Sequence, residues 1–270
     1  MDSLYVLMCF YLMILFQIRT RVCGAIGYGS KFLVGDKDWE LPHRDMEWFW
    51  NPVTASGLSP LLSTNYPEIN NACITALIER WHPETSSFHL PVGEMTITLD
   101  DVQCLLHVPI VGKLLTFPQK VTMLDGVNWM VELLGMDEET AQTEARDCGG
   151  SYIRPSTLSL VYLQHAGYVY YVLEYGEDPE GRFEHHSHCM IRCFLLYLLG
   201  HTLFTNRSKK HLDLGYVEAF RDVYTIGEYA WGAIGLAVLY QNLNDATRLS
   251  TKTCGGYMSL LLVQHFLYDI

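Results

Sequence analysis

Between Met190 and Leu203 the chain reads MIRCFLLYLLGHTL, a run broken only by Arg192 and His201 among strongly polar side chains. A helix lying on a protein surface needs a polar face; one that is apolar on every side needs neighbours all round it. The run therefore predicts a helix over about 183–204 at the centre of a helical body. It is too short and too interrupted for a membrane span, which needs roughly 20 apolar residues. The rest of the chain supplies the surrounding layers. Apolar residues make up 49% of the 270, and 17 Tyr, 11 Phe and 6 Trp imply a ring-rich core. That length fits one large domain or two small ones. The expected fold is mainly α, a multi-helix globular domain with a short β-hairpin near residues 88–97.

Periodicity and caps place the other elements. Residues 24–60, punctuated by Gly and Pro, read as a connecting region, with WELPHRDMEWFW (39–50) packing on the body as an irregular or short helical segment. A helix follows Pro67, with Ile69, Cys73, Ile74, Leu77, Ile78 and Trp81 on one stripe and Pro83 as its stop. FHLP (88–91) and EMTI (94–97) alternate around Pro91 and Gly93, a hairpin pattern. Thr98-Leu99-Asp100-Asp101 is a capping-box analogue opening a helix that Pro109 ends. Further helices are expected at 121–134, at 138–147 with Asp137 as N-cap, and from Pro155 to Tyr175 with Leu158, Tyr162, Leu163 and Val169 inward. More follow at 215–224, at 226–243 with small residues Gly227, Ala230, Ala233 and Ala237 for close approach, and at 254–268.

Charge and cysteine usage bound the partners. The net charge is -12, with 18 basic against 30 acidic residues. Nucleic-acid affinity draws on Lys and Arg neutralising phosphates, and the densest basic cluster is only Arg207, Lys209, Lys210 and His211, so direct nucleic-acid binding is not expected. The eight cysteines are scattered without a CxxC pair, and Cys73 and Cys104 sit in apolar helical patterns. That is the usage of a reducing compartment. The run LYVLMCFYLMILFQI (4–18) leaves three readings open: a signal or anchor segment, a core-packing helix, or an artefact of where the chain was taken to start. Membrane contact is expected only through it. Asn206-Arg207-Ser208 matches a glycosylation sequon, a tripeptide common by chance.

The stretch SGLSPLL…ALIERWHPETSSFHLPVGEMTITLDDVQCLLHVPIVG (56–112) resembles the opening signature of the plant mobile domain, also called aminotransferase-like. It carries Glu79-Arg80-Trp81, Phe88-His89-Leu90-Pro91, Gly93-Glu94-Met95-Thr96, Leu99-Asp100-Asp101-Val102, Pro109 and Gly112. RCFLLYLLGHTLFTNRSKKHLDLGYVEAFRDV (192–223), YAWGAIGLAVLYQNL (229–243) and CGGYMSLLLVQHF (254–266) resemble later blocks in family order. On this resemblance, 1–44 is an apolar segment plus connector and 45–270 is the domain, shortened at its C-terminal end. His107 stands where the family usually has Gly. The resemblance implies a nuclear, non-enzymatic protein of mobile-element-related origin, acting in meristem maintenance or transposable-element silencing. It also implies a serine/threonine metallophosphatase as partner. The alternatives are a cofactor- or metal-dependent enzyme, a non-functional remnant, and a secreted or anchored form if residues 4–18 act as a signal.

Catalytic machinery is sparse. None of Lys31, Lys37, Lys113, Lys120, Lys209, Lys210 and Lys252 sits in the strand-to-loop setting a pyridoxal-phosphate enzyme needs. GxSxG, P-loop, GxGxxG and HExxH motifs are absent. His185, Cys189 and Cys193 are one helical turn apart but lack a second ligand pair, so a His-rich helix start above two buried cysteines is expected. Asp101 is assigned to the helix cap, and Arg80 is paired with Glu94 across the hairpin. No catalytic, cofactor or metal residue is assigned. The mixed aromatic and polar cluster Trp81, His82, Phe88, His89 and Glu94 is the candidate partner contact.

Overall fold

The computed structural model describes residues 39, 41–63, 71–115, 121–206, 210–248, 254–258 and 260–261. The predicted central helix is α7, Phe183–His201, which follows α1 (Glu47–Ala55), α2 (Asn71–Ile78), α3 (Leu99–Leu106), α4 (Met123–Glu132), α5 (Glu138–Cys148) and α6 (Pro155–Tyr175). Every residue of α7 from Cys189 to Leu199 is buried. The helix packs most extensively on α6, with α1 and a 3₁₀ segment (Leu214–Phe220) on other sides. Even Arg192 is buried. Its guanidinium donates to three backbone carbonyls, Phe220 O at 2.8 Å, Arg221 O at 2.8 Å and Leu133 O at 3.3 Å. A buried cation without such acceptors would be strongly unfavourable. Arg192 thus ties α7 to the end of α4 and to the 3₁₀ turn.

Local sequence sets the helix ends. Thr98 and Asp101 form the reciprocal cap of α3, with Asp101 Oδ2 accepting from Thr98 N at 2.7 Å. Thr122 and Asp125 repeat it on α4. Asp137 caps α5 and Gly149 closes it in the left-handed region. Pro155 occupies the first turn of α6, which Gly176 ends.

Several expectations are corrected. Trp81 does not extend α2, which stops at Ile78; it begins β1 (Trp81–His82), pairing antiparallel with β2 (Ser87–Leu90), itself paired with β3 (Gly93–Met95). Two helix steps from Ile74 happen to reach residue 81, so the stripe ran on past the helix. The start of that helix at Pro67 and the side chain of Cys73 lie outside the described residues. Residues 47–50 do pack on the body as a short helix, with Phe49 fully buried and its ring 5.4 Å from Phe194 of α7; the expected connector beyond them is core too, since Val53 and Leu58 are fully buried. Leu163 faces outward and is 38% exposed, and Cys104 is exposed. Residues 215–224 form not an α-helix but the 3₁₀ segment. The Ile226–Leu243 helix divides into a 3₁₀ turn (Ile226–Glu228) and α8 (Trp231–Ala246). Most of the segment 254–268 lies outside the described residues.

Close approach to α8 comes from glycines rather than from Ala233 and Ala237. A Cβ on Gly232 would lie 2.9 Å from Val102 of α3 and 3.0 Å from Val108 and Ile110. Pro109 O accepts from Gly232 N at 2.7 Å, and Lys113 bridges to Tyr229 in parallel register. These bonds fix the end of the signature segment against α8. A second small sheet pairs β4 (Tyr152–Ile153) with β5 (Leu212–Asp213).

Candidate functional site

The β1–β2–β3 sheet is where the candidate contact residues meet. Successive strand residues point to opposite faces, so the five separate into two groups. Trp81 and Phe88 turn inward and are 3% and 2% exposed. They are register partners, with ring centroids 4.7 Å apart, and Trp81 also meets Tyr240 of α8 at 5.1 Å. Trp81 Nε1 donates to Asn244 Oδ1 at 2.7 Å, and the Tyr240 hydroxyl donates to Ile97 O at 2.6 Å. Two rings and two hydrogen bonds therefore bolt the sheet to α8.

His82, His89 and Glu94 form the exposed face. His89 lies directly across from Glu94, and its Nε2 is 3.2 Å from Glu94 Oε1. The His82 ring, diagonal to His89 across the β1–β2 pair, stacks on it with centroids 3.6 Å apart and planes 12° from parallel. Diagonal cross-strand neighbours are within reach of aromatic side chains. Ser87 donates to the other Glu94 oxygen at 3.3 Å. Glu94 thus pairs with His89 and not with Arg80, whose Nη1 donates back to Ala76 O of the preceding helix α2 at 2.8 Å. Val92, 73% exposed, stands at the tip of the β2–β3 turn. The surface offers imidazole nitrogens, a carboxylate and an apolar tip on a rigid base.

The histidine-rich start of α7 is built differently. His165, on α6, joins it and was not foreseen, because its neighbours in sequence are apolar helix residues. His165 Nε2 donates to Leu134 O at 2.8 Å, which leaves Nδ1 to accept from His186 Nδ1, also at 2.8 Å. The His186 ring stacks on Tyr168 at 4.2 Å, and His186 Nε2 is buried without a partner. Burial pushes the His165 imidazole down to about 4 and lowers His185 and His186 as well. His185 Nε2 lies 3.8 Å from Cys189 Sγ. Burial raises the Cys189 and Cys193 thiols. Among the described residues no three His, Cys, Asp or Glu side chains converge as a metal set.

The remaining motif residues are engaged in the fold. Lys113 pairs with Glu228, while Lys31, Lys37, Lys120, Lys209 and Lys252 lie outside the described residues. Asn206 Nδ2 donates to His211 O at 2.5 Å, so the amide nitrogen of the sequon is already bonded. The two ends of the signature segment meet at an open groove lined by Thr54, Gly57, Pro60, Gln103, His107 and Pro109. No described helix is long and apolar enough to cross a membrane.

This helix, three-stranded sheet and capped helix, with the glycine-bearing helix they bond to far along the chain, lie within the residues that a family model matches. The plant mobile domain model matches residues 57–268. The chain belongs to the plant mobile domain family. It is 33% identical over 228 residues to Protein MAIN-LIKE 1 of Arabidopsis thaliana, covering 83% of this chain and 40% of that protein. It is 32% identical over 200 residues to Protein MAINTENANCE OF MERISTEMS of Arabidopsis thaliana, covering 72% and 36%. Against the Serine/threonine-protein phosphatase 7 long form homolog of the same organism it is 30% identical over 229 residues, covering 85% and 15%. The chain therefore spans well under half the length of these relatives. No solved structure matches it.

Within the plant mobile domain, the structure explains two features of the signature. Gly57, with φ +73, sits so close to the segment's far end that a Cβ there would lie 2.5 Å from Pro109. His107, where the resemblance expected Gly, is the left-handed C-cap of α3, with φ 54. That conformation carries a steric cost of about 1–2 kcal/mol for an L-residue, which is why glycine suits the position. Residues 47–55 precede the matched range, yet α1 shares the same core.

Proposed function

We propose that this plant mobile domain chain is a non-enzymatic protein-interaction module. It acts in a nuclear complex concerned with meristem maintenance or the silencing of transposable elements. The observation that carries this reading is the exposed His82–His89–Glu94 strip, held on a sheet whose buried side, Trp81 and Phe88, is locked onto α8. Preformed polar and aromatic groups on a rigid base bind with little ordering cost. The name Protein MAINTENANCE OF MERISTEMS supports the process, and the phosphatase-named relative supports a serine/threonine phosphatase as the partner class. The net charge of -12 favours a protein partner over nucleic acid.

Affinity purification from plant tissue tests the reading. The wild-type chain recovers a phosphatase or chromatin protein. The triple variant His82→Ala/His89→Ala/Glu94→Ala, which leaves the buried rings in place, loses at least tenfold of that recovery. Equal recovery by both proteins removes the strip from the interface, and recovery of neither partner class by the wild type refutes the module.

A further inference from the structure

The exposed strip on the signature sheet is only partly satisfied by its own side chains. His82 lies on the edge strand β1 and His89 on the central strand β2. Their rings stack with centroids 3.6 Å apart and planes 12° from parallel, so each covers one face of the other. His82 is exposed, and the face of its ring turned away from His89 is open. On the other side of the stack stands Glu94 of β3. Its Oε1 lies 3.2 Å from His89 Nε2, and its Oε2 accepts from Ser87 at 3.3 Å. A carboxylate accepts at about four lone-pair sites, and the Glu94 side chain is 58% exposed, so its oxygens keep acceptor capacity toward solvent. A Cβ on neighbouring Gly93 would meet nothing within 4 Å; no described residue overhangs the strip there.

We infer that this strip receives an arginine-bearing segment of a protein partner, one guanidinium stacking on the open face of His82 and another pairing with Glu94. This rests on the reading of the strip as an interface and names what that interface takes. Charge points to a cation. Between residues 79 and 100 the acids Glu79, Glu84, Glu94 and Asp100 are all exposed. The single Lys or Arg in that stretch is Arg80, already bonded to Ala76 O. The chain as a whole carries -12. Shape then separates arginine from lysine. A guanidinium is planar, lies flat on a ring and grips a carboxylate with two parallel N–H donors, whereas an ammonium is a compact, strongly hydrated point charge with no flat face and no fork.

An aromatic side chain is the competing occupant over His82, and Glu94 argues against it. An apolar ring set across the strip displaces water from a carboxylate without replacing its hydrogen bonds, and burying an unpaired charge is costly. An acidic or phosphorylated segment meets the same exposed carboxylates and is repelled by them.

NMR titration of the full chain with an Arg-Gly-Arg-Gly-Arg peptide, and with Lys-Gly-Lys-Gly-Lys of the same charge, tests the assignment. The arginine peptide binds roughly tenfold tighter and shifts the His82 and His89 ring resonances. In His82→Ala the preference for arginine falls to about twofold, and Glu94→Gln weakens the arginine peptide roughly threefold. Both side chains are exposed, and an unchanged thermal midpoint reports an intact fold. Equal binding of the two peptides by the wild type overturns the proposal. So do ring resonances that stay still and a preference that survives both substitutions. Partner recovery from plant tissue keeps this result apart from the reading beneath it. If His82→Ala/His89→Ala/Glu94→Ala loses the partner while excess arginine peptide fails to displace it from the wild type, the arginine assignment falls and the interaction module stands. If the arginine peptide binds the strip while the triple variant recovers the partner as well as the wild type does, the arginine site stands and the strip's role in that complex falls.

Discussion

Lowering the pH from 7.5 to 5 destabilises this protein through His165, by about 2 kcal/mol. The imidazole is 2% exposed. Its Nε2–H is committed to Leu134 O, and its Nδ1 faces the Nδ1–H of His186 at 2.8 Å. Adding a proton to Nδ1 sets two N–H groups head to head in a buried site. Burial accordingly holds the folded-state pKa at about 4, against about 6.5 in the unfolded chain. Between those values the unfolded state binds the extra proton, so stability is full above pH 6.5, falls as the pH drops, and levels off below 4. The full difference amounts to about 3 kcal/mol, of which about 2 kcal/mol is lost by pH 5. Urea unfolding of the wild type and of His165→Gln across pH 5 to 7.5 isolates this contribution, because a Gln amide still donates to Leu134 O and accepts from His186. The wild-type advantage over the variant shrinks by about 2 kcal/mol as the pH falls. An advantage that stays constant across that range refutes the assignment, and the acid sensitivity then belongs to other groups.

Three further predictions rest on local geometry. Glu144 is buried; its carboxylate accepts from Arg154 N at 2.7 Å, Arg154 Nε at 3.0 and 3.1 Å, and Thr157 Oγ1 at 3.0 Å. Burial acts to raise its pKa, and the hydrogen bonds more than reverse that, leaving it lowered. Glu144→Gln costs about 2–3 kcal/mol in urea unfolding at pH 7, and the deficit narrows as the pH falls below the carboxylate range and the wild type is protonated too. His107→Gly raises the thermal midpoint, with a gain of about 0.5 kcal/mol, since relief of the left-handed strain outweighs the added chain entropy; a fall in the midpoint contradicts the capping argument. Gly126→Ala on α4 places a Cβ 1.7 Å from Gly150 O, a backbone clash that loses about 3 kcal/mol, and unchanged stability by calorimetry refutes that packing.

What the sequence displayed was local. The caps at Thr98, Asp137 and Pro155 announced their helices because each satisfies orphan backbone groups with a neighbour a few residues away. The apolar density of 190–203 demanded burial wherever the helix went. The signature motifs carried the family across blocks well separated in sequence, and the mixed cluster at 81–94 pointed to the sheet that now forms the candidate surface. The errors share one cause. Trp81 fits a helical stripe and a strand equally well by spacing, and only its pairing with Phe88 and bond to Asn244, 163 residues away, decide for the strand. Leu58 sits between Gly57 and Pro60 in a stretch punctuated as a connector, and only the assembled core makes it fully buried. The division of the five contact residues into buried Trp81 and Phe88 and exposed His82, His89 and Glu94 came from alternation along strands whose register the chain alone did not fix. His165 joined the histidine cluster from another helix, and no motif marks that.

The sequence by itself thus determined the helical class, most helix starts and the family, because these depend on short-range bonding and on composition. The tertiary structure decided which polar groups share a site and which residues outside the periodic segments become core. Those follow from contacts between segments distant in the chain, as where α8 locks the signature sheet through Trp81 and Asn244.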